Sequence, residues 1–107
     1  MTVTDVGGSL VLALRGELDM ATAPELAAAL DPLLQQGPDE VIIDLSALSF
    51  LDSSGIAVLV TGQQELTKQD RRLAVRGATP HAMKVFEIAG LIDFLGVETA
   101  PEESPTH

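Results

Sequence analysis

Residues 41–60, VIIDLSALSFLDSSGIAVLV, constrain the fold more than any other stretch of the chain. Val41–Leu45 is a short β-branched and apolar run, the pattern of a strand covered on both faces. Ser46–Leu51 reads as a brief connection that still carries Leu48, Phe50 and Leu51. Asp52, Ser53, Ser54 and Gly55 follow, and a second apolar run begins at Ile56. The order is strand, loop, helix, with two serines and a glycine on the first helical turn. The leading N–H groups of a helix have no internal partner and lie at the positive end of its dipole. A short side-chain oxygen caps them, or an anion is tolerated there. The simplest reading of Asp52, Ser53 and Ser54 is therefore a cap. The other is a modifiable hydroxyl beside a glycine that leaves room for a partner to approach.

The flanking chain supplies the rest of an α/β domain. Thr2–Val6 and Ser9–Arg15 are strand candidates joined at Gly7-Gly8, a pair suited to a tight antiparallel turn. Gly16–Asp19 ends the second strand. Thr22, Pro24 and Glu25 form a capping box with a first-turn proline, opening a helix to about Gln36 that Gly37-Pro38 stops. Leu26, Leu30, Leu33 and Leu34 share one face of it. The helix after the serines runs from about Ser54 to Lys68, with Ile56, Leu59, Val60 and Leu66 inward and Gln63, Gln64 and Lys68 solvated. Leu73–Val75 is a third buried strand, and Arg71, Arg72 and Arg76 around it read as a solvated stripe. Thr79-Pro80 starts a third helix that ends near Ala89, with Met83, Val85, Phe86 and Ala89 inward and Gly90 in the glycine stop position. Leu91–Val97 packs Leu91, Phe94 and Leu95 as a short turn and last strand. The domain thus spans residues 1–98, and residues 99–107, TAPEESPTH, form a polar tail. Strands alternating with helices predict a mixed, mostly parallel sheet with an N-terminal antiparallel hairpin and about three main helices packed on it.

Composition narrows function by exclusion. The 107 residues are 46% hydrophobic, enough for one folded core. There is no cysteine, and His81 and His107 lie far apart, so no metal or cofactor is expected. The formal net charge of −10 disfavours nucleic acid and anionic membrane, and favours a partner with a basic face. No basic-then-apolar leader and no apolar run of roughly 20 residues occurs, so a cytoplasmic protein is expected. The glycine patterns of a phosphate-binding loop, a dinucleotide site and a nucleophile elbow are all missing, and no histidine is placed for a Ser-His-Asp site. An enzyme is not expected.

DLSALSFLDSSGIAVLV resembles the signature of STAS domains, and in particular of anti-sigma-factor antagonists. GELDMATAPEL matches the family's first strand-to-helix passage, and VFEIAGLIDFLGV its third helix, glycine stop and following strand. The resemblance covers about Val3 to Val97. It implies a protein whose unphosphorylated form binds an anti-sigma factor that is also a serine kinase, releasing the sigma factor. Phosphorylation of a serine in this loop ends the binding, and a serine phosphatase resets it. Carried onto this chain, the phosphoacceptor is Ser54, directly before Gly55, with Ser53 the second choice. Asp19 and Asp52 match acidic positions on the partner-facing surface, which then comprises Asp19, Asp52, Ser53, Ser54 and Gly55. Family members commonly finish with an amphipathic helix, and PEESPTH has no apolar stripe for one. Two rivals come from other classes: a STAS subunit of a larger lipid-transport or stress-signalling assembly, and a small hydrolase using Ser54. The acidic surface fits a monomer.

Overall fold

The computed structural model describes residues 2–6 and 9–99. The elements are β1 (Thr2–Val6), β2 (Ser9–Leu18), α1 (Ala23–Gln35), β3 (Glu40–Leu51), α2 (Ser53–Thr67), β4 (Arg72–Arg76) and α3 (Pro80–Ala89). They build one sheet in the order β1-β2-β3-β4. β1 runs antiparallel to β2, with Val3 opposite Leu12, while β2, β3 and β4 are parallel. The Gly7-Gly8 turn expected between the first two strands lies outside the described residues, as do residues 100–107.

Alternate side chains of the parallel strands turn to one face and are buried there: Leu12 and Leu14, Val41, Ile43 and Leu45, Leu73 and Val75. Leu26 and Leu30 of α1, Ile56, Leu59 and Leu66 of α2, and Ala82 and Phe86 of α3 complete the same core. Leu33 and Leu34 are only partly buried against it.

β3 is longer than its sequence suggests, because Ser46–Leu51 is strand and not connection. Two register irregularities against β2 explain this. Between Ala13 and Arg15, and again between Gly16 and Glu17, β3 inserts an additional residue. The buried positions accordingly change from a spacing of two (Val41, Ile43, Leu45) to a spacing of three (Leu45, Leu48, Leu51). β2 follows it to Leu18, passing Arg15 and turning through Gly16 at φ +84°.

Gln63, expected in solvent, is buried and stitches α2 to β4. Its Oε1 accepts from Leu73 N at 2.8 Å, and its Nε2 donates to Leu73 O and Phe94 O, each at 2.8 Å. The next outward pair on β4 is also satisfied: Val75 N donates to Leu95 O at 3.0 Å and Val75 O accepts from Glu98 N at 2.9 Å. The segment after α3 is therefore turns followed by a bridge between Ala78 and Thr99, not a full strand, and Thr99 belongs to it and not to the tail. Leu95 and Val97 are buried, whereas Phe94, expected inside, is exposed. Gln63→Leu would leave the amide and carbonyl of Leu73 and the carbonyl of Phe94 without this partner. It is expected to cost about 3 kcal/mol, measured by urea unfolding.

Arg71 is also not part of a solvated stripe. Its guanidinium donates to Leu33 O at 2.6 Å, Leu34 O at 3.1 Å and Pro38 O at 2.9 Å, satisfying carbonyls at the end of α1. Arg72 pairs with Glu40 at 2.6 Å. The bonds from Arg72 and Ser9 hold the Glu40 carboxyl below its usual range. Arg76 is exposed as expected.

α3 follows the sequence signals closely. Thr79 Oγ1 accepts from Ala82 N at 3.2 Å, and Gly90 takes φ +72° while Leu91 N donates to Phe86 O at 3.0 Å. Ala89, expected inward, is exposed. Among the described residues no helix is long and apolar enough to cross a membrane.

Candidate functional site

The carboxyl ends of β2 and β3 finish side by side. Leu18 pairs with Leu51, and Asp52 N donates to Leu18 O at 3.1 Å, tying the β3–α2 junction to the loop that follows β2. Asp52 has extended backbone angles and caps α2, its Oδ1 accepting from Ser54 N at 2.8 Å. The helix therefore begins one residue earlier than expected, with Ser53, Ser54 and Gly55 as its first three residues. Ser53 is exposed and Ser54 half-buried. Among the described residues neither serine hydroxyl makes a hydrogen bond, so both oxygens are uncommitted. Asp52→Ala would remove the cap and is expected to lower stability by about 1 kcal/mol in a thermal melt.

Gly55 has a different role from the one expected. It is buried, and a Cβ placed there would lie 2.4 Å from Leu18 Cγ and 2.6 Å from Leu18 Cδ2. The missing side chain lets α2 seat on the end of β2. It does not open a path toward the neighbouring hydroxyl.

Asp19 is half-buried and organises the loop between β2 and α1. Its Oδ1 accepts from Ala21 N at 3.0 Å and Thr22 N at 3.1 Å. The expected capping box at Thr22 does not form. The Thr22 hydroxyl makes no cap bond to α1; it donates to Glu17 O at 2.8 Å and accepts from Asp19 N at 2.9 Å. Asp19 competes successfully for the turn because its carboxylate reaches two amides at once.

The site thus brings Asp19, Asp52, Ser53 and Ser54 to one rim, with Gly55 beneath. Glu17, opposite Phe50 in the β2–β3 register, adds a third carboxylate. No Lys or Arg occurs in residues 16–22 or 49–55. Two exposed apolar side chains border this rim and escaped the sequence reading: Met20 is 76% exposed and Phe50 42%. The signal for Phe50 was its adjacency to Leu51, since neighbouring residues on a strand face opposite ways. The Phe50 ring stacks on His81 of α3, with centroids 5.9 Å apart and planes inclined by 21°. Among the described residues no cluster of three or more His, Asp or Glu could hold a metal ion.

The sequence profile described as "Mlab, STAS domain" matches residues 1–96. The chain belongs to the STAS-domain family. Among curated relatives, the anti-sigma-B factor antagonist of Staphylococcus aureus (strain NCTC 8325 / PS 47) is 34% identical over 87 residues, covering 81% of each protein. An anti-sigma factor antagonist from Mycobacterium paratuberculosis has the same fold, with 30% identity and a TM-score of 0.83 over 98% of this chain and 84% of that one. The anti-sigma factor antagonist SpoIIAA is similar in its unphosphorylated form, with 27% identity and a TM-score of 0.79 over 95% of this chain and 88% of that one. The phosphorylated form of Bacillus SpoIIAA is similar too, with 26% identity and a TM-score of 0.74 over 95% and 91%. These relatives are regulatory binding proteins by name, and in SpoIIAA the fold accommodates both phosphorylation states.

Proposed function

We propose that this chain is a cytoplasmic anti-sigma factor antagonist and not an enzyme. Its unphosphorylated form binds an anti-sigma factor that is also a serine kinase, which frees the sigma factor. Phosphorylation of Ser54 ends the binding, and a serine phosphatase restores it. The observation that carries this reading is the uncommitted Ser54 hydroxyl on the first turn of α2, whose amide is held by Asp52. A phosphoserine adds about −1.5 to −2 charge at neutral pH. The helix start tolerates that charge. An interface built around Asp19, Asp52 and Ser53 does not, because the charge adds repulsion, bulk and desolvation to a rim that is already acidic. Exposure alone would favour Ser53; the position directly before Gly55 favours Ser54.

The test is mass spectrometry of the protein isolated from its own cells, with the modified residue mapped and the co-purifying proteins identified. One phosphoryl group on Ser54 that varies with growth condition, together with a soluble kinase, supports the switch. A group on Ser53 moves the acceptor by one residue. A second reading, a STAS subunit of a larger lipid-transport or stress-signalling assembly, has one observation behind it: the matching profile carries Mlab in its description. Recovery of a membrane ATPase with an unmodified Ser54 under every condition would favour that reading instead.

A further inference from the structure

The chain has three phenylalanines and neither Trp nor Tyr. Phe86 is fully buried in the core, yet Phe50 is left 42% exposed at the end of β3. Phe50 is four residues before Ser54, on the strand that delivers the switch. Its ring lies beside the His81 ring, with centroids 5.9 Å apart and planes inclined by 21°, a near-parallel and offset arrangement that leaves ring surface open to a partner. Glu17 stands opposite it in the sheet register, Asp52 follows two residues on in the chain, and the Asp52–Leu18 hydrogen bond ties that junction to the end of β2, next to Asp19.

We infer that the Phe50–His81 pair is a docking ledge for an arginine side chain of the anti-sigma factor. The inference rests on the antagonist reading above and names a contact within it. A guanidinium suits both parts of this surface. Its flat cationic face lies on an aromatic ring, and its fork of N–H donors meets carboxylates. A purely apolar group would cover Phe50 and desolvate the Glu17 carboxylate opposite it without supplying a donor. An ammonium has no flat face to place on the ring. The net charge of −10 makes a basic group the natural complement at long range as well.

The experiment uses the anti-sigma factor identified in the co-purification above, titrated calorimetrically with the wild-type chain and with Phe50→Ala, Phe50→Leu and Ser54→Asp. Phe50→Ala is expected to weaken binding about tenfold, with the thermal midpoint nearly unchanged because the ring is not in the core. Phe50→Leu keeps apolar area and loses the ring, and is expected to weaken binding nearly as much. Footprinting with phenylglyoxal, an arginine-specific reagent, should show one partner arginine protected by the wild-type chain and reactive again with Phe50→Ala. Full affinity of Phe50→Ala, wild-type affinity of Phe50→Leu, or no protected arginine would each overturn the ledge. If Ser54→Asp blocks binding while Phe50→Ala does not, only the ledge fails. If Ser54→Asp binds as tightly as wild type, or no anti-sigma factor is recovered, the switch fails and the ledge falls with it.

Discussion

Ser54→Asp is expected to lose partner binding by more than about a hundredfold, a change of roughly 3 kcal/mol, while its thermal midpoint stays within a few degrees of wild type. The two halves of this expectation have separate causes. Stability is preserved because position 54 is the second residue of α2, where a negative charge meets the positive end of the helix dipole, and because Ser54 is only half-buried. Binding is lost because the new carboxylate stands beside the Asp52 carboxylate, on a rim whose segments 16–22 and 49–55 carry no Lys or Arg. An aspartate carries less charge than a phosphoserine, so the phosphorylated protein should bind more weakly still. Ser54→Ala should bind like the unmodified protein and escape switching. Calorimetric titration and differential scanning calorimetry measure the two effects independently. A collapse of the thermal midpoint in Ser54→Asp would mean that the serine serves the cap and not a switch.

At the site itself, the fold is expected to suffer from Gly55→Ala. In an exposed helix interior this change would gain about 1 kcal/mol from propensity. Here the added methyl would overlap Leu18 Cγ at 2.4 Å, and Leu18 is itself almost fully buried. Either α2 lifts or Leu18 leaves its rotamer, and the net loss is expected to be about 2 kcal/mol. That corresponds to roughly 10 °C in thermal midpoint for a domain of this size. Leu18→Ala alone should also destabilise, through the cavity it leaves. The double variant Gly55→Ala, Leu18→Ala should cost clearly less than the sum of the two, because each removes the clash or fills the space made by the other. Additive losses would refute a direct contact. Lifting α2 would also displace the cap, so a partner-binding defect in Gly55→Ala reports the seating of the helix and not a contact by Gly55.

The parts legible in the sequence are those decided locally. Thr79, Pro80 and Gly90 delimit α3 through bonds no more than five residues long, and the Asp52 cap is equally local. The features that were hidden are decided at a distance. Gln63 looks like its neighbour Gln64 until β4 and Phe94 are brought to it. Arg71 finds its acceptors more than thirty residues away, at the end of α1. β3 conceals its second half because its period changes at the two register irregularities, and a search for alternation stops at the first. At the site itself the serines and Asp52 were visible. The burial of Gly55 against Leu18, the capture of the loop amides by Asp19, and the stacking of Phe50 on His81 all need the neighbouring strand or helix in place.

The amide of Gln63 acts on β4 as one rung of a missing strand, and Leu95 and Glu98 supply the next. An outer strand with open N–H and C=O groups is a template on which other chains polymerise. At Leu73 and Val75 this border has nothing left to offer an incoming strand. A protein that exchanges partners, as proposed for this chain, spends part of its life alone. Closing this margin with a glutamine and the segment after α3 keeps those solitary copies from joining through β4.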